Sequence, residues 1–192
     1  MIIQSHNSWS YLTPRKWWMR LFRFVSKCQS KTIKQQYEDY DTKSFDIRAR
    51  FDKNGNLIIA HGLTEYSYTY DDLMKDLDYL DKKGDVVIRV IYEVRTKKDY
   101  EALDKNYFIN FCKEIESRFK NIVFYGGRNL YDSKVEYDFG NNITDEGKYS
   151  SVCDPKLIDD WFPWIYARFH NRENIEIGTD KDILSIDFVN IR

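Results

Sequence analysis

Segments with strand-like and helix-like patterns of apolar residues alternate along the chain. Short runs of apolar residues, or of alternating apolar and polar residues, are typical of strands. They occupy residues 2–5, 45–51, 57–60, 85–92, 122–125 and 183–189. Longer segments with apolar residues every three or four positions, which predict helices, occupy residues 14–27, 31–40, 70–82, 98–118 and 155–170. This alternation predicts an α/β fold with a largely parallel sheet.

The segments between these elements indicate turns and loops within a single domain. Asn54-Gly55, between two predicted strands, is a strong signal for a tight turn. Residues 126–153 are polar and weakly periodic, so we expect long loops or an irregular hairpin there. Because no repeat or flexible linker divides the chain and 192 residues can bury a sizeable core, we expect a single domain over residues 1–192.

The composition argues against several classes of protein. The 30 basic and 31 acidic side chains nearly balance, so there is no electrostatic reason to expect a nucleic-acid partner. An aromatic content of 17% with only 8 glycines and 3 prolines argues against disorder. No apolar run reaches the roughly 18 residues of a membrane-spanning helix, and no leader opens the chain, so we expect a cytoplasmic protein.

The three cysteines, Cys28, Cys112 and Cys153, are expected to be reduced. They form no CxxC pair, and an odd number in a chain without a predicted leader argues against a disulfide framework. We expect most of them to be packed in the interior.

Two of the three histidines follow predicted strands. His6 comes after the strand at 2–5, and His61 comes after the strand at 57–60. Parallel βα folds place reacting groups at this end of their strands, and imidazole titrates near neutral pH, so the two can form an acid–base pair. The alternative is that each is a hydrogen-bonded structural histidine. His170 is expected to lie at the surface or to cap a helix.

Asp46 and Arg48 lie two positions apart in the strand at 45–51, so both side chains point to the same face. Because buried charges are costly unless they are paired, the two form either a structural salt bridge or part of an anion site. A guanidinium group suits a phosphoryl group, since its planar fork donates two hydrogen bonds and keeps its charge.

Four segments that contain these residues form a recognisable set. They are Ser5-His6-Asn7-Ser8, Phe45-Asp46-Ile47-Arg48-Ala49-Arg50, Ile58-Ile59-Ala60-His61-Gly62 and Ser185-Ile186-Asp187-Phe188-Val189-Asn190. In order, in strand placement and in the 13 positions from Arg48 to His61, this set resembles the bacterial-type phosphatidylinositol-specific phospholipase C family. The resemblance covers residues 1–62 and 183–190. It implies a TIM-type βα barrel, shortened or distorted because a complete barrel typically has about 250 residues.

The resemblance implies a role for each residue of the site. His6 would be the general base, Asp187 would orient its ring, and His61 would be the general acid. Arg48 would stabilise charge on the phosphate oxygens in place of a metal ion, and Asp46 would orient Arg48 or His61. The 2-hydroxyl of the substrate would attack phosphorus and expel the lipid alcohol, giving a cyclic phosphodiester.

One departure from the bacterial pattern raises the question of a metal. Asn7 stands where bacterial members commonly have aspartate, and it resembles the eukaryotic branch, in which this position helps to bind calcium. Asn7, Asp46 and Glu93 offer oxygen ligands, so Ca²⁺ is the alternative cofactor. Arg48 occupies the position of a further carboxylate and would repel a cation, so we expect a metal-independent enzyme with no cofactor.

Contacts with the substrate headgroup are less well defined. Asn7 is a candidate, as is Arg128, which follows two glycines. Arg89, within an apolar strand, either binds phosphate or pairs with a carboxylate. The lysine with which bacterial relatives touch inositol has no match, since Ile91 and Tyr92 lie there, and the headgroup therefore stays open.

The predicted helix at 14–27 has a composition suited to a membrane surface. Trp18 and Phe22 belong to an apolar stripe at helical spacing, Trp17 widens this stripe, and basic residues lie on the opposite side. Such a helix either lies in a membrane interface or packs its apolar side inward. Bacterial relatives carry a tryptophan-bearing interfacial helix at this place, so we expect a phospholipid substrate and peripheral binding to a membrane surface.

The sequence favours metal-independent cleavage of a phospholipid, with phosphatidylinositol or a related lipid as substrate. A metal-dependent glycerophosphodiester hydrolase on a similar barrel is one alternative, and Arg48 argues against it. A catalytically inactive phospholipid-binding module is another, and the set His6, Arg48, His61 and Asp187 argues against it.

Overall fold

Within residues 1–150, 158–178 and 180–192, which the computed structural model describes, the chain forms eight strands and six α-helices. The strands are β1 Ile2–Ser5, β2 Ser44–Phe51, β3 Leu57–His61, β4 Thr64–Glu65, β5 Val86–Tyr92, β6 Ile122–Asn129, β7 Asp145–Lys148 and β8 Ile183–Ile186. The helices are α1 Arg23–Ser26, α2 Ile33–Tyr40, α3 Tyr70–Asp81, α4 Lys97–Ala102, α5 Lys105–Arg118 and α6 Pro163–Ile177. Two 3-10 helices cover Trp17–Arg20 and Ile158–Trp161.

Six strands form one parallel sheet in the order β6-β5-β2-β1-β8-β7. The last residues of β2 also pair with β3 in an antiparallel hairpin across the predicted Asn54-Gly55 turn, and β4 pairs with β3. The prediction of an α/β fold with a largely parallel sheet is therefore confirmed. Because β1, β2 and β8 are central, the segments that follow β1 and β8 emerge beside the end of β2.

The barrel is not closed. Among the described residues, no backbone pairing joins β6 to β7. Side chains bridge this seam instead: the Tyr125 hydroxyl lies 3.4 Å from Asp145 Oδ2 and accepts a 2.8 Å hydrogen bond from Gln4 Nε2. Arg89 donates from β5 to the same Asp145 carboxylate. The predicted shortened or distorted barrel is confirmed, and polar side chains hold its open edge.

The two faces of β2 separate an apolar layer from a polar one. Phe45 and Ile47 point outward into the main hydrophobic core, which also contains Phe108 of α5. Asp46 and Arg48, on the opposite face, are equally buried, so the barrel interior holds charged groups. Since buried charges persist only when they are paired, this interior must contain an ion-pair network.

The prediction of a helix over residues 14–27 is wrong in its extent. Residues 13–15 run beside residues 65–67 as extended chain, with Pro14 bridged to Tyr66. Only the 3-10 helix and the four-residue α1 follow. Helices gain most of their stability from packing an apolar face, and the apolar residues of this segment lie mostly in solvent. Within the described residues, no helix is long and apolar enough to cross a bilayer.

Two other helix predictions need correction. The predicted helix at 98–118 is interrupted, because Asp104 caps the start of α5 by accepting from the Asn106 N–H. The helix predicted at 155–170 begins at Pro163, where proline is favoured at the first helical position, and ends at Ile177. Residues 155–157 of that prediction lie outside the described residues.

The region expected to be loops, 126–153, contains regular structure. β6 continues to Asn129, and an antiparallel bridge between Arg128 and Val135 forms the irregular hairpin that was expected. β7 was missed, because its sequence Asp-Glu-Gly-Lys carries no apolar alternation. The last strand ends at Ile186, three residues early, since Phe188 has a left-handed φ of 47°.

Candidate active site

His6 lies directly after β1, and its ring is held from one side by a carboxyl group. The His6 N–H donates to the Ile186 carbonyl at 3.0 Å, which extends the β1–β8 pairing to the histidine. His6 Nδ1 lies 2.7 Å from Asp187 Oδ1, and the Ser150 N–H donates to Asp187 Oδ2. Both residues are buried. The Asp187 side chain therefore fixes the orientation of the His6 ring, as the resemblance implied.

Arg48 contacts the opposite edge of the same ring. Its Nη2 lies 2.8 Å from His6 Nε2. Because a guanidinium group only donates, Nε2 accepts, and the proton of the neutral ring lies on Nδ1 and faces Asp187. Burial and the charge of Arg48 both lower the pKa of His6 well below its ordinary value. Burial also raises the pKa of Asp187 to about 8.

Asp46 anchors the arginines of the barrel interior. It accepts from Arg48 Nε at 3.1 Å, from Arg89 Nε and Nη2 at 3.1 Å each, and from the Asn7 N–H at 3.0 Å. Burial alone would raise the pKa of Asp46, but Arg89 and Arg48 hold it far below its ordinary value. Asp46 is therefore ionised and positions Arg48, one of the two roles expected of it.

His61 ends β3 and faces His6 across the site. Its Nδ1 lies 3.0 Å from the Ser26 carbonyl oxygen, which can only accept, so this nitrogen carries a proton. The two imidazole rings are nearly perpendicular, with centroids 5.9 Å apart. Burial lowers the pKa of His61 to about 4, and the charge of Arg48 is the second cause of this shift. His61 is therefore neutral near pH 7.

A cavity of about 770 Å³ joins these groups. His6, Arg48 and His61 line it, together with apolar side chains. The apolar lining consists of Met19, Phe22, Val25, Leu63, Leu130 and Pro163. A charged floor with an apolar wall suits a ligand that has a phosphate at one end and hydrocarbon at the other.

Tyr149 and Cys28, which lie against the two histidines of the cavity, were not predicted as part of the site. The Tyr149 ring stacks on His6, with centroids 3.8 Å apart and planes 3° from parallel. It follows β7, and since that strand gave no sequence signal, nothing placed Tyr149 near His6. Cys28, expected only to be packed, is buried, but its Sγ lies 3.8 Å from His61 Nδ1. Cys112 is also buried, and Cys153 lies outside the described residues.

The structure separates the predicted headgroup residues from the cavity. Asn7 is buried with a φ of 47°, and its backbone, not its side chain, contacts Asp46. Arg89 and Arg128 line another cavity, of about 610 Å³, beside the open seam. None of these three is among the described residues that line the cavity of His6. Arg89 has the pairing role, since its guanidinium bonds to Asp46 and Asp145.

The three residues predicted to face a membrane are exposed. The exposed fractions are 73% for Trp17, 42% for Trp18 and 56% for Phe22. The alternative, in which this apolar side packs inward, therefore does not hold for them. Phe22 also lines the cavity, so the exposed aromatic surface is continuous with the site. His170, in α6, pairs with Asp159 at 2.7 Å, away from this cavity.

The oxygen ligands considered for calcium do not fit the ion. Arg48 and Arg89 already occupy the Asp46 carboxylate. Glu93 Oε1 accepts from the Gly62 N–H, and its Oε2 lies 3.6 Å from Arg48 Nη1. Calcium requires six to eight oxygen ligands, and a guanidinium group between the two carboxylates excludes that arrangement.

Comparisons with known proteins give a consistent result for the fold. No protein-family model and no curated protein matches the chain. Solved structures of phosphatidylinositol-specific phospholipase C from Staphylococcus aureus do. A double mutant matches with a TM-score of 0.63 at 12% identity, and a single mutant with 0.62 at 14%; each match covers 97% of this chain and 84% of the other. A structure concerned with modulation of that enzyme's membrane binding matches with 0.55 at 13% identity, covering 97% and 85%. The chain has the fold of these phospholipases.

Proposed function

We propose that the protein is a metal-independent phosphodiesterase that cleaves a phospholipid, with phosphatidylinositol as the preferred substrate. The observation that carries the proposal is the continuous chain from Asp187 through His6 to Arg48, with contacts of 2.7 and 2.8 Å, opposite His61. Base, acid and anion-binding group thus line one cavity. The fold shared with phosphatidylinositol-specific phospholipase C of S. aureus supports the choice of substrate.

In the proposed reaction, His6 Nε2 takes the proton of the attacking hydroxyl while His61 protonates the leaving oxygen. A bond forms from the substrate's own hydroxyl to phosphorus, and the bond from phosphorus to the lipid alcohol breaks. The products are a cyclic phosphodiester and the free lipid alcohol. Arg48 leaves His6 Nε2 and donates to the nonbridging phosphate oxygens, where negative charge develops.

The low pKa of His61 fits this scheme only if binding of the substrate raises it. A phosphodiester carries a negative charge, and a nearby opposite charge raises the pKa of an imidazole. Binding of the substrate also draws the positive charge of Arg48 into a new ion pair, which removes one cause of the low pKa of His61. The substrate thus converts His61 into a proton donor as it binds.

The exposed aromatic residues fit a membrane surface as the second partner. Phe22 lines the cavity, Trp17 and Trp18 are exposed shortly before it in the chain, and tryptophan is enriched at the level of lipid headgroups. Embedding them would place the apolar wall of the cavity against the acyl chains. A lipid would then enter without leaving the bilayer completely.

The alternatives are less well supported. A metal-dependent glycerophosphodiester hydrolase needs free carboxylates, and Asp46 and Glu93 are held by arginine side chains. A binding module would need no base, and Asp187 orients His6 for that role.

Release of diacylglycerol from phosphatidylinositol vesicles in excess EDTA tests the proposal. Wild-type protein and His170→Ala should release it, because His170 lies outside the cavity. His6→Ala and His61→Ala should lose at least about 10² of the rate, the contribution of general acid–base catalysis. Release by both alanine variants at the wild-type rate, or none by any protein, would reject the proposal.

A further inference from the structure

Three groups that bind transition metals converge at the floor of the cavity. His6, Cys28 and Asp187 each offer one ligand atom, these atoms lie within 4.8 Å of one another, and all three residues are buried. The proposed reaction uses His6 and Asp187 but gives Cys28 no role. A thiol between two imidazole rings and a carboxyl group is unusual for a residue that only fills space.

The backbone fixes the position of the Cys28 sulfur. The Cys28 N–H donates to Ser10 Oγ at 2.9 Å, and its carbonyl accepts from the Phe188 N–H at 2.6 Å. Phe188 follows Asp187 directly, so the sulfur and the carboxyl group are tied to each other by one backbone hydrogen bond. The ligand atoms are therefore preorganised, which lowers the cost of binding an ion.

The chemistry of these groups matches zinc. Zn²⁺ takes thiolate, imidazole and carboxylate ligands in tetrahedral geometry, with bonds of about 2.3 Å to sulfur and about 2.0 Å to nitrogen or oxygen. Such bonds place neighbouring sulfur and nitrogen ligands about 3.6 Å apart. The three ligand atoms already lie within 4.8 Å of one another, so a small approach of the side chains brings them to zinc. Calcium and magnesium prefer oxygen ligands and do not suit this set.

We infer that His6, Cys28 and Asp187 form a binding site for Zn²⁺ that inhibits the enzyme. The inhibition rests on the proposed function, but the binding of Zn²⁺ does not. Coordination replaces the thiol proton of Cys28 and the proton between His6 Nδ1 and Asp187, and both protons pass to solvent. It also engages the imidazole and the carboxyl group that the base needs. The zinc-bound protein therefore cannot take a proton from the substrate, and removal of the metal restores activity.

Binding of Co²⁺ to the full chain tests the site without reference to activity. Cobalt bound by a thiolate gives a charge-transfer band in the near ultraviolet, and we expect one in the wild type that Zn²⁺ abolishes. Cys28→Ser should lose the band. Cys112→Ala and Cys153→Ser should keep it, which assigns the thiolate to Cys28. Absence of the band from the wild type, or its presence in Cys28→Ser, overturns the inference.

A second measurement covers the case in which Cys28→Ser does not fold. Saturating Zn²⁺ should protect Cys28 of the wild type from alkylation, as measured by peptide mass, and equal alkylation with and without Zn²⁺ overturns the site. In activity assays, Cys28→Ser should need more than about tenfold more Zn²⁺ for half-inhibition, since even outer ligand partners change metal affinity 10–100-fold. A protein that binds Co²⁺ through Cys28 but cleaves no phospholipid would refute the proposed function alone.

Discussion

Arg48 Nη2 donates to His6 Nε2 across 2.8 Å. In the proposed reaction this nitrogen accepts the proton of the attacking hydroxyl, so Arg48 must move away from it when the substrate binds. Arg48 also lies between Asp46 and Glu93, which keep it charged. A phosphodiester that attracts Arg48 therefore frees the base in the same step. In the proposed mechanism, Arg48 thus couples binding of the anion to activation of His6.

Replacement of Arg48 by lysine should therefore reduce kcat by about 10² to 10³, the usual cost of removing one donor that stabilises transition-state charge. A lysine ammonium cannot donate in a planar fork to both Asp46 and the phosphate. The measurement is steady-state cleavage of phosphatidylinositol in mixed micelles. Arg128→Lys, outside the cavity, is the matched control and should keep wild-type activity. A kcat for Arg48→Lys within about tenfold of wild type would contradict this role.

Asp187→Asn should lower kcat by about 10⁴ with little change in KM, because an amide at this position no longer fixes the tautomer of the His6 ring. In the proposed mechanism Asp187 is a positioning residue, and loss of folding alone would not separate kcat from KM in this way. Near-ultraviolet circular dichroism of the variant checks that the fold persists. Equal changes in both constants would indicate a structural role instead.

The value of kcat/KM should fall as pH rises. This constant reports the groups of the free enzyme, and the pKa of His61 is lowered there from 6.5 to about 4. The protonated fraction of His61 then decreases with increasing pH, so kcat/KM should decline between about pH 6 and about pH 8. The kcat profile should fall at a higher pH, since the bound anion raises the pKa of His61. A kcat/KM that is constant or increases over this range would count against His61 as the acid.

Trp17→Ala/Trp18→Ala should reduce sedimentation with anionic vesicles. Burial of apolar surface contributes roughly 25 cal/mol per Å², so loss of two exposed indole rings should weaken binding by more than about tenfold. The control is Phe169→Ala/Ile177→Ala, which removes two exposed apolar side chains of α6. If both double variants sediment like wild type, these tryptophans do not contact the membrane.

Arg89→Met should destabilise the fold by about 3 to 5 kcal/mol, because it leaves the buried Asp46 carboxylate with half of its pairing. Urea unfolding followed by fluorescence measures the change. Arg128→Met, which exposes no buried charge, should stay within about 0.5 kcal/mol of wild type. An Arg89→Met protein that is as stable as wild type but has a raised KM would instead support the predicted contact with the headgroup.

The sequence predicted those parts of the molecule that depend on local patterns. Period-two alternation placed Asp46 and Arg48 on one face of β2, and the parallel neighbour β1 brings His6 beside them. His61 ends β3, which is antiparallel to β2, so the expected end of a parallel strand does not account for its position. The resemblance in sequence motifs, and not the periodicity, indicated the barrel and the set His6, Arg48, His61 and Asp187.

The remaining features depend on contacts between distant segments. Nothing in Lys148-Tyr149-Ser150 indicates that Tyr149 stacks on His6, because β7 is polar and gains its order only by pairing with β8. The helix predicted at 14–27 failed because its apolar residues have no protein surface to bury against. The place of Cys28 beside His61 follows from the turn after α1, which no periodicity encodes.

Phosphorus NMR of the purified protein with phosphatidylinositol vesicles in excess EDTA tests the central claim most directly. The account predicts a cyclic inositol phosphate as the first product of the wild type, formed without added metal and absent with His6→Ala or His61→Ala. An acyclic phosphate as the first product, or product only after addition of calcium, would contradict the proposed attack by the substrate's own hydroxyl with Arg48 in place of a metal ion.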